Sequence, residues 1–299
     1  MTTFSELPWD HEIQQIVSPL IAVNDGRQEY IEGTAFIISK GFAITAYHVI
    51  QDLLHKYQGV NDVDSYHDMN FHILLFVHLR NKKDVLPMRV MRIWNTAPLD
   101  IAILAFGVPA DWPNDYNWVV PKLSLLPPKI GETIVAIGFP NSKILPTEDT
   151  KNHSAVTAKC TLSTGIVTDI HHNYRDTGLL KFPCFSTNAR FDGGMSGGPV
   201  FNNSNGAICG VICNNLPPEN ENEEHASNVS TLWPISGILI DINTNLHPKG
   251  VQYPFYELFK SKEIITTDHE KVILKLEPNG ARSVEAHYIH SEWDINKKI

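Results

Sequence analysis

Short apolar runs separated by polar punctuation dominate this chain. "GTAFIIS", "FAITAYHVI", "FHILLFVHL", "DIAILAF", "TIVAIGF", "STGIVTDI", "GAICGVICN" and "VSTLWPI" have the length of strands, are rich in Ile, Val, Phe and Thr, and are bounded by Gly, Pro, Asn or Asp. β-Branched and aromatic side chains suit a pleated, half-buried surface, so the pattern predicts strands and an all-β sandwich or barrel architecture. Helical periodicity is scarce. A short turn is expected at "VIQDLLHKY" and a second helical stretch near residues 235 to 246, "ISGILIDINTNL". Residues 107 to 129 carry five prolines and little alternation, which predicts a connector between two β units. No internal repeat is visible.

Composition narrows the classes of function. With 299 residues, 42% hydrophobic and 19% charged, the chain can bury one large core or two smaller ones. A net charge of −9 argues against nucleic acid or an anionic membrane as the main partner, because both favour basic patches. The opening "MTTFSELPWDHEIQQ" has no basic stretch followed by an apolar one, and no apolar run approaches the roughly 18 residues that cross a bilayer. A cytoplasmic location is therefore expected. Cys160, Cys184, Cys209 and Cys213 are too sparse for a disulfide scaffold and are expected to be reduced. Cys209 and Cys213, four apart, and the adjacent His171 and His172 lack the paired C-x2-C spacing of structural zinc. "HEIQQ" lacks the second histidine of a helical zinc-protease motif. No metal or organic cofactor is expected. The polar stretches 217 to 228 and 62 to 68 read as solvated loops.

Residues 191 to 201, "FDGGMSGGPVF", set four glycines around Ser196. Such density is unfavourable unless the backbone needs positive φ or close approach. A serine hydroxyl becomes a nucleophile only beside a base that a third group orients. His48, following a strand-like run in "ITAYHVI", and Asp100, opening "DIAILAF", are candidates for those two roles.

Taken together, "TAYHV", "LDIAIL" and "GGMSGGPVF" resemble, in that order, the three catalytic motifs of the chymotrypsin-fold serine peptidases, most closely the bacterial HtrA-type branch. "GTAFIIS", "GETIVAIGFP", "LSTGIVTDI", "GAICGVICN" and "LWPIS" are similar to further landmarks of that family, so the resemblance spans roughly residues 20 to 240. It implies two six-stranded antiparallel β-barrels: an N-terminal segment (1–19), a first barrel (20–115) carrying His48 and Asp100, a second (116–240) carrying Ser196, and a C-terminal extension (241–299) with no recognisable PDZ domain. It also implies a Ser196–His48–Asp100 triad, an oxyanion hole from the amides of Gly194 and Ser196, and a polypeptide substrate cleaved through an acyl-enzyme.

Met195 stands where zymogen-type trypsins carry the aspartate that pairs with a newly cut amino terminus, so activation by that route is not expected. The resemblance places the primary pocket at Arg190, Phe191, Cys213, Asn214 and Asn215. An inward Arg190 would favour acidic side chains; an outward one would leave Phe191 to form a shallow apolar pocket. Two further readings stay open: a catalytically silent member of the fold serving as a binding module, and a peptidase gated by a regulatory protein partner acting on residues 188 to 195.

Overall fold

The computed structural model describes residues 2–23, 29–58, 70–79, 82–110, 112, 116–145, 155–216, 225–241, 251–276 and 284–288. In chain order the strands are β1 (Thr3–Glu6), β2 (Val17–Val23), β3 (Glu29–Ser39), β4 (Phe42–Thr45), β5 (Asn70–Leu79), β6 (Lys82–Asn95), β7 (Ala102–Phe106), β8 (Thr133–Gly138), β9 (Lys143–Leu145) and β10 (Ala155–Thr157). They continue as β11 (Thr161–His171), β12 (Cys184–Thr187), β13 (Pro199–Asn202), β14 (Ile208–Leu216), β15 (Ala226–Thr231), β16 (Leu239–Ile240), β17 (Tyr253–Pro254), β18 (Val272–Leu276) and β19 (Val284–Tyr288). Among the described residues two α-helices interrupt them, α1 (Tyr47–Gln58) and α2 (Tyr256–Lys260).

These strands close into two six-stranded antiparallel barrels. The first runs β2-β3-β4-β7-β6-β5. In the second, the sheet β11-β12-β15-β14-β13-β8 closes on itself through the pairing of β8 with β11. Apolar side chains from these strands fill the interiors: Leu20, Phe36, Ile38, Ile44, Ile73 and Leu104 are buried in the first barrel, and Ile134, Val167, Phe185, Val200, Ile212 and Val229 in the second. Strand β1 pairs with β11, so the amino-terminal segment lies against the second barrel while β2 belongs to the first.

Two helical expectations change. The short turn after His48 is a twelve-residue helix, α1, whose Val49, Ile50, Leu53 and Leu54 are buried at helical spacing. The stretch from 235 is a 3-10 turn (Trp233–Gly237), with Pro234 in its first turn and Gly237 at its end, followed by β16. Its residues 242–246 lie outside the described residues, as do residues 62–68 and 217–224 of the two acidic loops.

The region after β15 is part of the fold's interior. Tyr253, Phe255, Leu258, Phe259, Ile264 and Val272 join the core of the first barrel, with the Phe255 ring edge-on to Phe42 at 5.9 Å between centroids. Asp268, 5% exposed, accepts hydrogen bonds from the Leu125 amide (2.8 Å), the Leu126 amide (3.1 Å) and the Ser124 hydroxyl (3.0 Å). Residues 124–126 belong to the stretch connecting the barrels, so one carboxylate ties the late part of the chain to that crossing. No helix among the described residues is long and apolar enough to cross a membrane.

Candidate active site

His48 and Asp100 come together at one end of the first barrel. Strand β4 ends at Thr45 and α1 begins at Tyr47, which places His48 in the first helical turn. Asp100 precedes β7, the strand paired with β4, and the pairing Thr45↔Ala102 sets the two residues side by side. The Asp100 carboxylate accepts from the His48 main-chain amide at 2.9 Å and contacts His48 Nδ1 at 2.8 Å. A carboxylate only accepts, so Nδ1 carries the proton and Nε2 is left as the base. Desolvation lowers the His48 pKa, but the hydrogen bond and charge of Asp100 together with the charge of Asp52 outweigh it, and the net shift is upward.

Asp100 has a third donor that the sequence pattern did not assign to it. The Cys213 thiol donates to Oδ2 at 2.9 Å, so this residue, expected in the substrate pocket, buttresses the carboxylate. Burial and the neighbouring Asp100 charge hold the thiol well above its ordinary pKa, which keeps its proton in that bond. All four cysteines are free and buried; desolvation pushes Cys160 and Cys184 up to about 12. His48, Asp100 and Cys213 also form the one group of three prospective metal ligands found among the described residues. Their facing atoms are already occupied by the hydrogen bonds that link them.

The glycines around Ser196 serve geometry. Gly194 has φ of 98° and Gly197 of 84°, a region that favours glycine. A Cβ on Gly197 would lie 2.2 Å from the Thr34 carbonyl oxygen, and one on Gly194 would lie 2.7 Å from that of Phe139. Met195, fully buried in the core of the second barrel, anchors the stretch by packing where an ion-pairing residue would need a charge. The Met195 amide donates to Asp192 O (3.0 Å) and the Gly198 amide to Met195 O (2.9 Å), giving two successive tight turns. The amides of Gly194 and Ser196 donate to no other group among the described residues.

Ser196 and His48 flank Cys213 but are not hydrogen-bonded to each other; the Ser196 hydroxyl donates to Cys213 O at 3.3 Å. A cleft of about 410 Å³ opens beside His48 and Asp100, and Leu180, Phe182, Cys213 and Asn214 also line it. Cys213 and Asn214 thus reach the cleft. Arg190 does not: its guanidinium lies over the Phe4 ring, 4.3 Å from the centroid, and makes two 2.7 Å hydrogen bonds to Asp192 at the surface. Phe191 is buried in the second barrel's core, and Asn215 bonds Ser227 and His225 on the β14–β15 pair.

The trypsin-like peptidase domain matches residues 33–211, more than half of the chain, and the chain belongs to that family. A comparison with curated proteins returns no match. Among solved structures the chain is similar to the active form of the Rv3671c protease from M. tuberculosis (18% identity, 80% of this chain and 83% of that one, TM-score 0.46). It is also similar to the apo MamO protease domain from Magnetospirillum magneticum (14% identity, 75% of this chain and 96% of that one, TM-score 0.45).

Proposed function

We propose that this protein is a serine endopeptidase acting on polypeptides through Ser196, His48 and Asp100. The observation that carries the reading is the Asp100 carboxylate on His48 Nδ1, which presents an unprotonated Nε2 on the side of the ring away from Asp100. The mechanism requires the Ser196 hydroxyl to leave Cys213 O and reach that nitrogen; catalytic hydrogen bonds commonly tighten only when substrate is bound. His48 then takes the hydroxyl proton as Ser196 Oγ attacks the scissile carbonyl carbon. The oxygen's negative charge develops against the Gly194 and Ser196 amides. Collapse expels the amine, which receives the proton from His48, and water, deprotonated by the same nitrogen, hydrolyses the acyl-serine. The apolar side chains of Leu180 and Phe182 in the cleft beside His48 and Asp100 suit substrates with apolar side chains near the scissile bond.

A stoichiometric fluorophosphonate adduct on Ser196, absent from Ser196→Ala, is the expected result. The bond from the Ser196 hydroxyl to Cys213 O favours the rival reading, a silent binding module, in which the hydroxyl stays parked. Failure of the folded protein to react would overturn constitutive activity, and reaction appearing only on addition of a partner would identify the gated form instead of that rival.

A further inference from the structure

Every carbonyl from Asp192 to Ser196 is held, while the amides of Gly194 and Ser196 donate to no group among the described residues. Gly193 O accepts from the Asn141 amide (3.0 Å), Gly194 O from the Thr34 hydroxyl (2.8 Å), Met195 O from the Gly198 amide (2.9 Å) and Ser196 O from the Thr34 amide (2.8 Å). In a trans peptide the C=O and N–H point in opposite directions. Holding Gly193 O therefore aims the Gly194 N–H the other way, and holding Met195 O does the same for the Ser196 N–H.

The peptide between Gly193 and Gly194 is the vulnerable one. Both flanking residues are glycine, so a crankshaft rotation that turns its N–H away meets little intrinsic resistance. Asn141 and Thr34 oppose it from two sides. Asn141 sits at φ of 53°, a left-handed conformation that asparagine tolerates better than most residues, and from there its amide reaches Gly193 O. The fully buried Thr34 hydroxyl, besides holding Gly194 O, accepts from the Phe139 amide at 3.0 Å, which fastens the 139–141 segment to the same point. Thr45, three residues before His48, donates its hydroxyl to Thr34 O at 2.7 Å. Thr34 thus joins the first barrel, the end of β8 and the turn before Ser196.

We propose that Thr34 and Asn141 are positioning residues that lock the Gly193–Gly194 peptide with its N–H directed at the substrate oxygen. The assignment rests on the serine-peptidase reading for its catalytic meaning, while the locking itself is measurable without turnover. The experiment compares the parent, Thr34→Val, Thr34→Ser, Asn141→Ala and Asn141→Gly. Acylation by p-nitrophenyl acetate is followed as a pre-steady-state burst, and the Gly194 amide resonance is followed by NMR of the folded proteins.

Thr34→Val is expected to slow acylation about 10- to 100-fold, less than the roughly 10²–10³ for outright removal of one such donor, with ester affinity unchanged. Thr34→Ser restores the rate to within about threefold of the parent, since it keeps the hydroxyl. Asn141→Gly retains the rate and Asn141→Ala lowers it, because only glycine holds the left-handed conformation without cost. The Gly194 resonance shifts or splits in the slow variants. An active parent whose Thr34→Val form is within twofold of it, or an unmoved Gly194 resonance in that folded variant, overturns the proposal. A parent with no burst whose Gly194 resonance still responds to Thr34→Val defeats the peptidase reading and leaves the lock standing.

Discussion

Replacing Asp268 by alanine tests whether the late part of the chain secures the crossing between the barrels. The carboxylate is the acceptor for two buried amides, those of Leu125 and Leu126; Ser124 has an alternative, since its hydroxyl also reaches Leu126 O at 3.1 Å. Each stranded buried donor costs about 1–3 kcal/mol, so the substitution should destabilise by about 2–6 kcal/mol. Against a typical total of about 5–15 kcal/mol this is a large fraction. Asp268→Asn keeps one acceptor oxygen and should recover about half of the loss. Urea titration followed by tryptophan fluorescence reads the difference as a lower midpoint at an unchanged slope. If Asp268→Ala unfolded within about 0.5 kcal/mol of the parent, the change typical of an uninvolved surface site, the dependence of those amides on this carboxylate would be refuted.

His48 should titrate above the ordinary histidine value of about 6.5, because Asp100 favours its charged form; activity that needs the neutral base then falls as pH drops through that raised value. NMR titration of Ser196→Ala checks the direction, and Asp100→Asn should move the midpoint down. Arg190→Gln should leave the cleavage profile of a proteome-derived peptide library unchanged, since the guanidinium is engaged with Phe4 and Asp192; a shift away from acidic residues would return Arg190 to the pocket. Phe255→Ala, deleting a fully buried ring from the first barrel's core, should cost about 3–5 kcal/mol by thermal or urea unfolding, whereas a detachable appendage would tolerate it.

The strands built on short apolar runs of strand length were legible because their Ile, Val and Phe clusters are bounded by turn-forming residues. β3, β4, β7, β8 and β14 all coincide with such runs. β2 and β6 were not anticipated: Pro19 and Pro87 interrupt them, and the pairing that makes them strands comes from partners distant in sequence. The proximity of His48 to Asp100 was inferable from motif order. Cys213's bond to Asp100 and the outward turn of Arg190 were not, because side-chain direction depends on a bulge in β14 and on Phe4, nearly two hundred residues earlier. The left-handed Asn141 carries no local signal beyond its residue type. The burial of residues 253–272 escaped notice because their apolar positions are too few and too scattered to announce a core.

The dispersal of the first barrel's core along the chain bears on how the protein comes into being. A ribosome delivers the walls of that barrel early, yet Phe255 and Phe259 emerge some 150 residues after β7, and β1 waits equally long for β11. The second barrel has its whole core in hand once β15 is made, whereas the first, begun earlier, gains its last core residues only when the chain reaches Val272. The barrel that starts first is thus expected to be the one completed last.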